Sequence, residues 1–222
     1  MRLAVTGGTW GKDGIRRLFD DPVIKGFDKG DFLVILGDCG ITEPRANLRE
    51  RIDDYRRLPC SVLFIDGSRD DYDLLGDYPL FPWNGGMMQN ISRSILRLTR
   101  GQVFMICGAK VLTLGGASTP ERGDLGKYWN WWPEQDPSPG DVDTAVLNTA
   151  EWGGHVDFIL TCDCPTSWKG LVGGRISKSS DVLEDLLRRV DYRHWYFGNH
   201  PIDADYDDVR ASCVNKRVIR IV

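Results

Sequence analysis

Phe32-Leu33-Val34-Ile35-Leu36-Gly37-Asp38-Cys39-Gly40 sets five apolar residues in a row, then a carboxylate framed by glycines. An unbroken apolar run of this length, closed by a turn signal, fits a strand buried on both faces. Ser61-Val62-Leu63-Phe64-Ile65 repeats the pattern and closes on Asp66-Gly67. Residues 2–5 give a shorter version that runs into Thr6-Gly7-Gly8-Thr9-Trp10-Gly11. Between these runs, residues 13–19 read as a short helix. Residues 45–58 read as an exposed amphipathic one, with Leu48, Ile52 and Tyr55 at helical spacing. The order β-α-β-α-β implies a parallel sheet with helices on its faces. In such sheets the loops at the carboxyl ends of the strands form the site. Here those loops are residues 7–11, 37–40 and 67–70.

Further along, residues 103–107 and 110–114 pattern as a hairpin around Gly108-Ala109, followed by Gly115-Gly116-Ala117. Residues 118–140 are rich in Gly, Pro and Trp, with Trp129, Trp131 and Trp132 close together. Linkers do not carry such aromatic density, so this segment is expected to be an ordered loop or cap. A helix over 143–152, a strand over 156–160 ending in Thr161-Cys162-Asp163-Cys164-Pro165, and a helix over 180–190 follow. Trp195-Tyr196-Phe197 is a strand ending in Gly198-Asn199-His200-Pro201, and residues 217–222 form a last strand. No internal repeat is found, and one domain over 1–222 is expected.

The chain has 222 residues and a net charge of −4. That length suits one α/β domain with a core large enough to need no disulfide or structural metal. No Lys/Arg run stands out, which disfavours duplex nucleic acid as the main partner. No stretch approaches a membrane span and no export signal is read at the start, so no membrane partner and a cytoplasmic location are expected. The six cysteines, Cys39, Cys60, Cys107, Cys162, Cys164 and Cys213, form no CxxC pair and are expected as free thiols.

Taken together, the strand-end loops resemble the calcineurin-like metallophosphoesterases, over almost the whole chain. The resemblance is closest to a bacterial and phage branch. That branch's middle is matched by Leu98-Thr99-Arg100-Gly101-Gln102-Val103-Phe104, Gly115-Gly116-Ala117 and Trp131-Trp132-Pro133-Glu134. It implies a four-layer α/β/β/α sandwich with two stacked mixed sheets. It also implies a site in which two divalent metals (Mn, Fe or Zn), about 3.5–4 Å apart, clamp a phosphate and activate water.

The frame of that family's signature is kept and most of its chemistry is replaced. Where the family has Gly-Asp-Thr-His-Gly, this chain has Gly7-Gly8-Thr9-Trp10-Gly11, so Gly8 stands for a carboxylate and Trp10 for an imidazole. Gly37-Asp38-Cys39-Gly40 keeps the bridging aspartate. Gly-Asn-His-Glu becomes Gly67-Ser68-Arg69-Asp70, which puts Ser68 in place of a metal-binding amide and Arg69 in place of the proton donor. In the fourth motif Cys162 stands for a ligand histidine. In the fifth, Gly-His-x-His becomes Gly198-Asn199-His200-Pro201, with Asn199 and Pro201 at the ligand positions and His200 between them.

On that resemblance Asp38 is the only ligand left of its own type. One carboxylate does not hold two hard divalent ions against water, and arginine is no general acid near neutral pH. No catalytic residue and no metal are therefore expected. Asp38, without metals, needs another cation. Arg69 can serve as a structural partner, or can also grip a ligand phosphate with its planar fork. Trp10 reads first as filling vacated volume, and second as a stacking platform for a base. A thiolate metal site of Cys39, Cys162 and Cys164 with Asp38 and His200 is a weaker alternative. So is a cysteine nucleophile with His200 as its base. His155 and His194 are flanking residues. The leading expectation is a pseudoenzyme that senses or sequesters a phosphorylated small molecule or nucleotide, with Asp38, Arg69, Ser68, Trp10, Cys162, Asn199 and His200 lining the old cleft. Alternatives are a scaffold with a packed site and a protein partner, or a phosphoesterase with one rebuilt metal site.

Overall fold

The computed structural model describes residues 1–43, 47–119 and 131–222. The apolar runs form strands as their composition dictates: β1 (Leu3–Thr6), β2 (Phe32–Leu36) and β3 (Ser61–Ile65) pair in parallel and are buried almost throughout. They belong to a seven-stranded mixed sheet, order β13-β1-β2-β3-β6-β5-β4. Its other members are β4 (Leu80–Trp83), β5 (Gly86–Ser92), β6 (Ile95–Leu98) and β13 (Val218–Arg220). A second, six-stranded mixed sheet has the order β11-β12-β10-β9-β8-β7. It contains β7 (Gln102–Ile106), β8 (Ala109–Leu114), β9 (His155–Thr161), β10 (Asp191–Phe197), β11 (Ala204–Tyr206) and β12 (Ala211–Cys213).

Three apolar clusters hold these parts together. Alternate residues of β1–β3 point inward (Leu3, Val5, Val34, Leu36, Leu63, Ile65) and meet Phe104, Val111, Phe158 and Leu160 of the second sheet. The other faces of those strands (Ala4, Leu33, Ile35, Phe64) pack on helices α1 (Gly11–Asp20), α2 (Pro22–Lys25), α3 (Leu48–Arg56) and α4 (Tyr72–Gly76). On the far side of the second sheet, Leu112, Ile159 and Trp195 pack on α5 (Pro139–Glu151) and α6 (Lys178–Arg189). The result is an α/β sandwich whose two sheets share an apolar interior and carry helices on their outer faces. Among the described residues no helix is long and apolar enough to cross a membrane.

Several boundaries differ from the sequence reading, for local reasons. The turn of the β7–β8 hairpin is Cys107-Gly108, not Gly108-Ala109. Both turn residues have positive φ (53° and 82°), as a two-residue hairpin of this twist requires, and Ala109 already belongs to β8. The β4–β5 hairpin is absent from the sequence reading, although Asn84-Gly85 supplies the same kind of turn (φ 48° and 95°). Helix α5 starts at Pro139 rather than near 143, because Ser138 and Asp141 form a capping box and Pro139 sits in the first turn. The expected cap therefore ends in a helix. Of its aromatics, Trp132 is buried and leads into a 3-10 turn over Pro133–Gln135, while Trp129 lies outside the described residues.

Candidate functional site

The loops that follow β1, β2, β3, β9 and β10 meet at one end of the sandwich. At several of their glycines a neighbouring loop passes too close for a side chain. A Cβ on Gly37 would lie 2.3 Å from the Cys162 sulfur, and one on Gly198 would lie 2.6 Å from the Leu36 carbonyl oxygen. A Cβ on Gly67 would lie 2.2 Å from Asp38 Oδ1. The strand-end loops of the two sheets thus lock together around Asp38.

Asp38 is buried in left-handed backbone (φ 46°). It accepts hydrogen bonds from the Arg69 backbone N–H (2.8 Å) and from Ser68 Oγ (3.1 Å). Burial raises its pKa, and the nearby charge of Arg69 works against that rise. The expected side-chain ion pair with Arg69 does not form. The Arg69 side chain is exposed, and its guanidinium lies 4.9 Å from the centre of the Trp10 ring instead. Trp10 fills no vacated volume either: it is 51% exposed. Its backbone abuts Gly40, and its ring stands out at the start of α1.

Charge in the first loop is handled by Arg17, a residue the sequence reading passes over. Its guanidinium donates to the carbonyls of Gly7, Gly8, Asn215 and Lys216 and to Thr6 Oγ1. Deeper in, Asp66 is fully buried between two guanidiniums. Arg97 holds Oδ1 (3.0 Å) and Arg100 holds Oδ2 (2.8 Å). Burial alone would raise Asp66, but the two arginines outweigh it and hold its carboxyl far below the usual range.

Asp70 closes the third loop, accepting from Gly67 N–H (2.6 Å) and Thr42 Oγ1 (2.7 Å). Burial, then the neighbouring carboxylate of Asp38, pushes it up to about 7. Because this raised pKa belongs to the folded state, the folded protein binds a proton more tightly than the unfolded chain between the ordinary carboxylate range and pH 7. Stability should therefore fall as pH rises through that window. Asp70→Asn should remove the dependence and unfold about 1–3 kcal/mol harder than the parent at pH 8, with little difference at pH 4–5, in urea titrations across pH.

His200 lines the same cleft as Asp38, but its ring bonds elsewhere. Its Nε2 lies 3.0 Å from Asp163 Oδ1 and 3.7 Å from Cys164 Sγ. Asp163 also receives the Lys169 ammonium (2.5 Å), Ser179 Oγ (3.0 Å) and the Cys164 N–H (2.8 Å). Burial would raise Asp163, yet the hydrogen bond from His200 and the charge of Lys169 hold it at about 2. Asp163, Cys164 and His200 form the one group of potential metal ligands among the described residues whose ligating atoms all lie within 4.8 Å of one another. Of the expected set (Cys39, Cys162 and Cys164 with Asp38 and His200) it contains Cys164 and His200, and Asp163 joins them in place of Asp38, Cys39 and Cys162. Its carboxylate already holds an ammonium, and burial pushes the Cys164 thiol up to about 12. Cys162 is fully buried with its thiol pushed up by burial, then by Asp38, which disfavours the thiolate, and the cysteine that meets His200 is Cys164, whose thiol is likewise pushed up by burial. The donor set around Asp38 does not fit two divalent ions either. The Asp38 carboxylate is already satisfied by an amide and a hydroxyl, the neighbouring Asp70 carboxylate by the Gly67 N–H and the Thr42 hydroxyl, and Gly8, Trp10 and Pro201 offer no side-chain ligand.

Two clefts open at this end of the molecule. The smaller, about 230 Å³, is lined by Trp10, Asp38, Arg69, Asn199, Pro201 and Asn215 among others. The larger, about 750 Å³, shares Arg69, Asn199 and His200 with the first and adds Ser68, Ser118, Thr119, Arg175, Ser177 and Lys178. Among the described residues its one carboxylate, Asp163, is already paired. The segment 169–178 carries Lys169, Arg175 and Lys178 with no acidic residue, a signal the sequence offered and its reading did not use.

No protein-family model and no curated protein matches this chain in sequence. Among solved structures it is similar to the crystal structure of phosphopantetheinyl hydrolase (PptH) from Mycobacterium tuberculosis. The TM-score is 0.46 and the identity 13%, over 100% of this chain and 95% of that chain.

Proposed function

We propose that this chain is a catalytically degenerate protein of the four-layer metallophosphoesterase type, and that its larger cleft binds a phosphorylated small molecule without cleaving it. The observation that carries this is the uncommitted positive charge of that cleft. Arg69 and Arg175 are exposed and take no ion-pair partner among the described residues, and Lys178 reaches Asp136 only at 4.0 Å. Arginine forks and serine or threonine hydroxyls are the groups that recognise phosphate oxygens. A volume of about 750 Å³ also falls in the range of small-molecule pockets. Cleavage is not part of the proposal, because the groups around Asp38 supply neither a metal clamp nor a general acid. The exposure of Arg69 and Trp10 favours this over a packed scaffold.

The test is thermal unfolding in EDTA with and without pyrophosphate. A concentration-dependent rise in Tm is expected for the parent, and its loss in Arg175→Glu/Lys178→Glu. These exposed positions should leave the Tm of the free protein within a few degrees. No shift for the parent at millimolar pyrophosphate would overturn the proposal.

A further inference from the structure

The two clefts differ in chemistry, and the difference has a direction. The smaller one offers a half-exposed indole, the flat ring of Pro201, and the amide side chains of Asn199 and Asn215. Neither amide side chain has a hydrogen-bond partner among the described residues, and Asn199 is fixed in left-handed backbone at the end of β10 (φ 61°). An aromatic face beside uncommitted amides, which both donate and accept, is what recognises a heteroaromatic base. The ring stacks and the amides read its edge. At about 230 Å³ the smaller cleft is below the size of a whole small-molecule site, and suits one end of a ligand. The larger cleft offers cations and hydroxyls, and among the described residues its one aromatic side chain is that of His200. Arg69 lines both, with its guanidinium 4.9 Å from the Trp10 ring centre and its side-chain N–H groups without a hydrogen-bond partner among the described residues.

We infer that the phosphorylated ligand is a nucleotide, with its base against Trp10 between Asn199 and Asn215 and its phosphates toward Arg175 and Lys178. This rests on the binding proposed above and adds the ligand class and its orientation.

The experiment is calorimetric titration in EDTA with ATP and, separately, with tripolyphosphate. The two probes carry comparable phosphate chains, and one lacks the base and ribose. ATP should bind at least about ten-fold tighter than tripolyphosphate. Trp10→Ala should weaken ATP roughly ten-fold, leave tripolyphosphate unchanged, and be largely rescued by Trp10→Phe. Trp10 is half exposed, so these variants are expected to fold, and an unchanged Tm checks it. If tripolyphosphate binds as tightly as ATP, or if Trp10→Ala weakens both equally, the base site is wrong while phosphate binding stands. If neither probe binds, both proposals fall.

Discussion

Asp66→Ala should destabilise the protein by about 3–5 kcal/mol. Asp66 follows β3, is fully buried, and is the sole carboxylate between Arg97 and Arg100. Removing it leaves two mostly buried guanidiniums facing each other, with Asp141, 3.9 Å from Arg100, as the one remaining carboxylate partner among the described residues. Arg97 would keep Gln89 Oε1, and Arg100 would keep the Tyr72 hydroxyl and the carbonyls of Gln135 and Asp136. These neutral acceptors do not offset two charges. Urea unfolding at neutral pH reads the loss. A companion variant separates charge from packing: Asp66→Leu with Arg97→Met and Arg100→Met removes the whole network and should recover much of the difference. If Asp66→Ala costs under about 1 kcal/mol, the network is solvated and its burial is misjudged.

Lys169→Met should cost about 3 kcal/mol, with a pH signature. Methionine keeps most of the buried stem and deletes the ammonium that holds Asp163. The depressed pKa of Asp163 in the folded state, about 2, makes its stabilisation fully present above the ordinary carboxylate range and lost as pH falls toward 2. The gap between parent and variant should thus be widest above pH 5 and narrow on acidification. A gap independent of pH would assign the effect to packing alone. Because Asp163 also anchors Ser179 near the start of α6 and the His200 ring, this variant should weaken pyrophosphate binding as well.

The parts of the fold most legible in the sequence are those fixed by burial. Runs such as 32–36 and 61–65 have no stable place but the interior of a sheet, and they are found there. Turn chemistry was legible and under-read: Asn84-Gly85 and Ser138-Pro139-Gly140-Asp141 each announce a hairpin or helix start that the structure contains. The site was legible as loops and less so as contacts. Asp38, Arg69, Asn199 and His200 do line one region. That Arg69 holds Asp38 through its backbone, and turns its guanidinium to Trp10, depends on the path of the 67–70 loop, which no residue pattern encodes. The Asp163–Lys169–His200 cluster needs two loops brought together. Asp163 and Lys169 are six residues apart in the chain, but His200 arrives from the end of the neighbouring strand.

Native mass spectrometry of the protein, purified in EDTA and exposed to a mixed extract of phosphorylated metabolites, is the measurement that matters most. A retained phosphorylated compound, released intact on denaturation and lost in Arg175→Glu/Lys178→Glu, is the predicted result. A bare polypeptide mass after exposure, or a compound recovered in hydrolysed form, would contradict a cleft that binds phosphate without cleaving it.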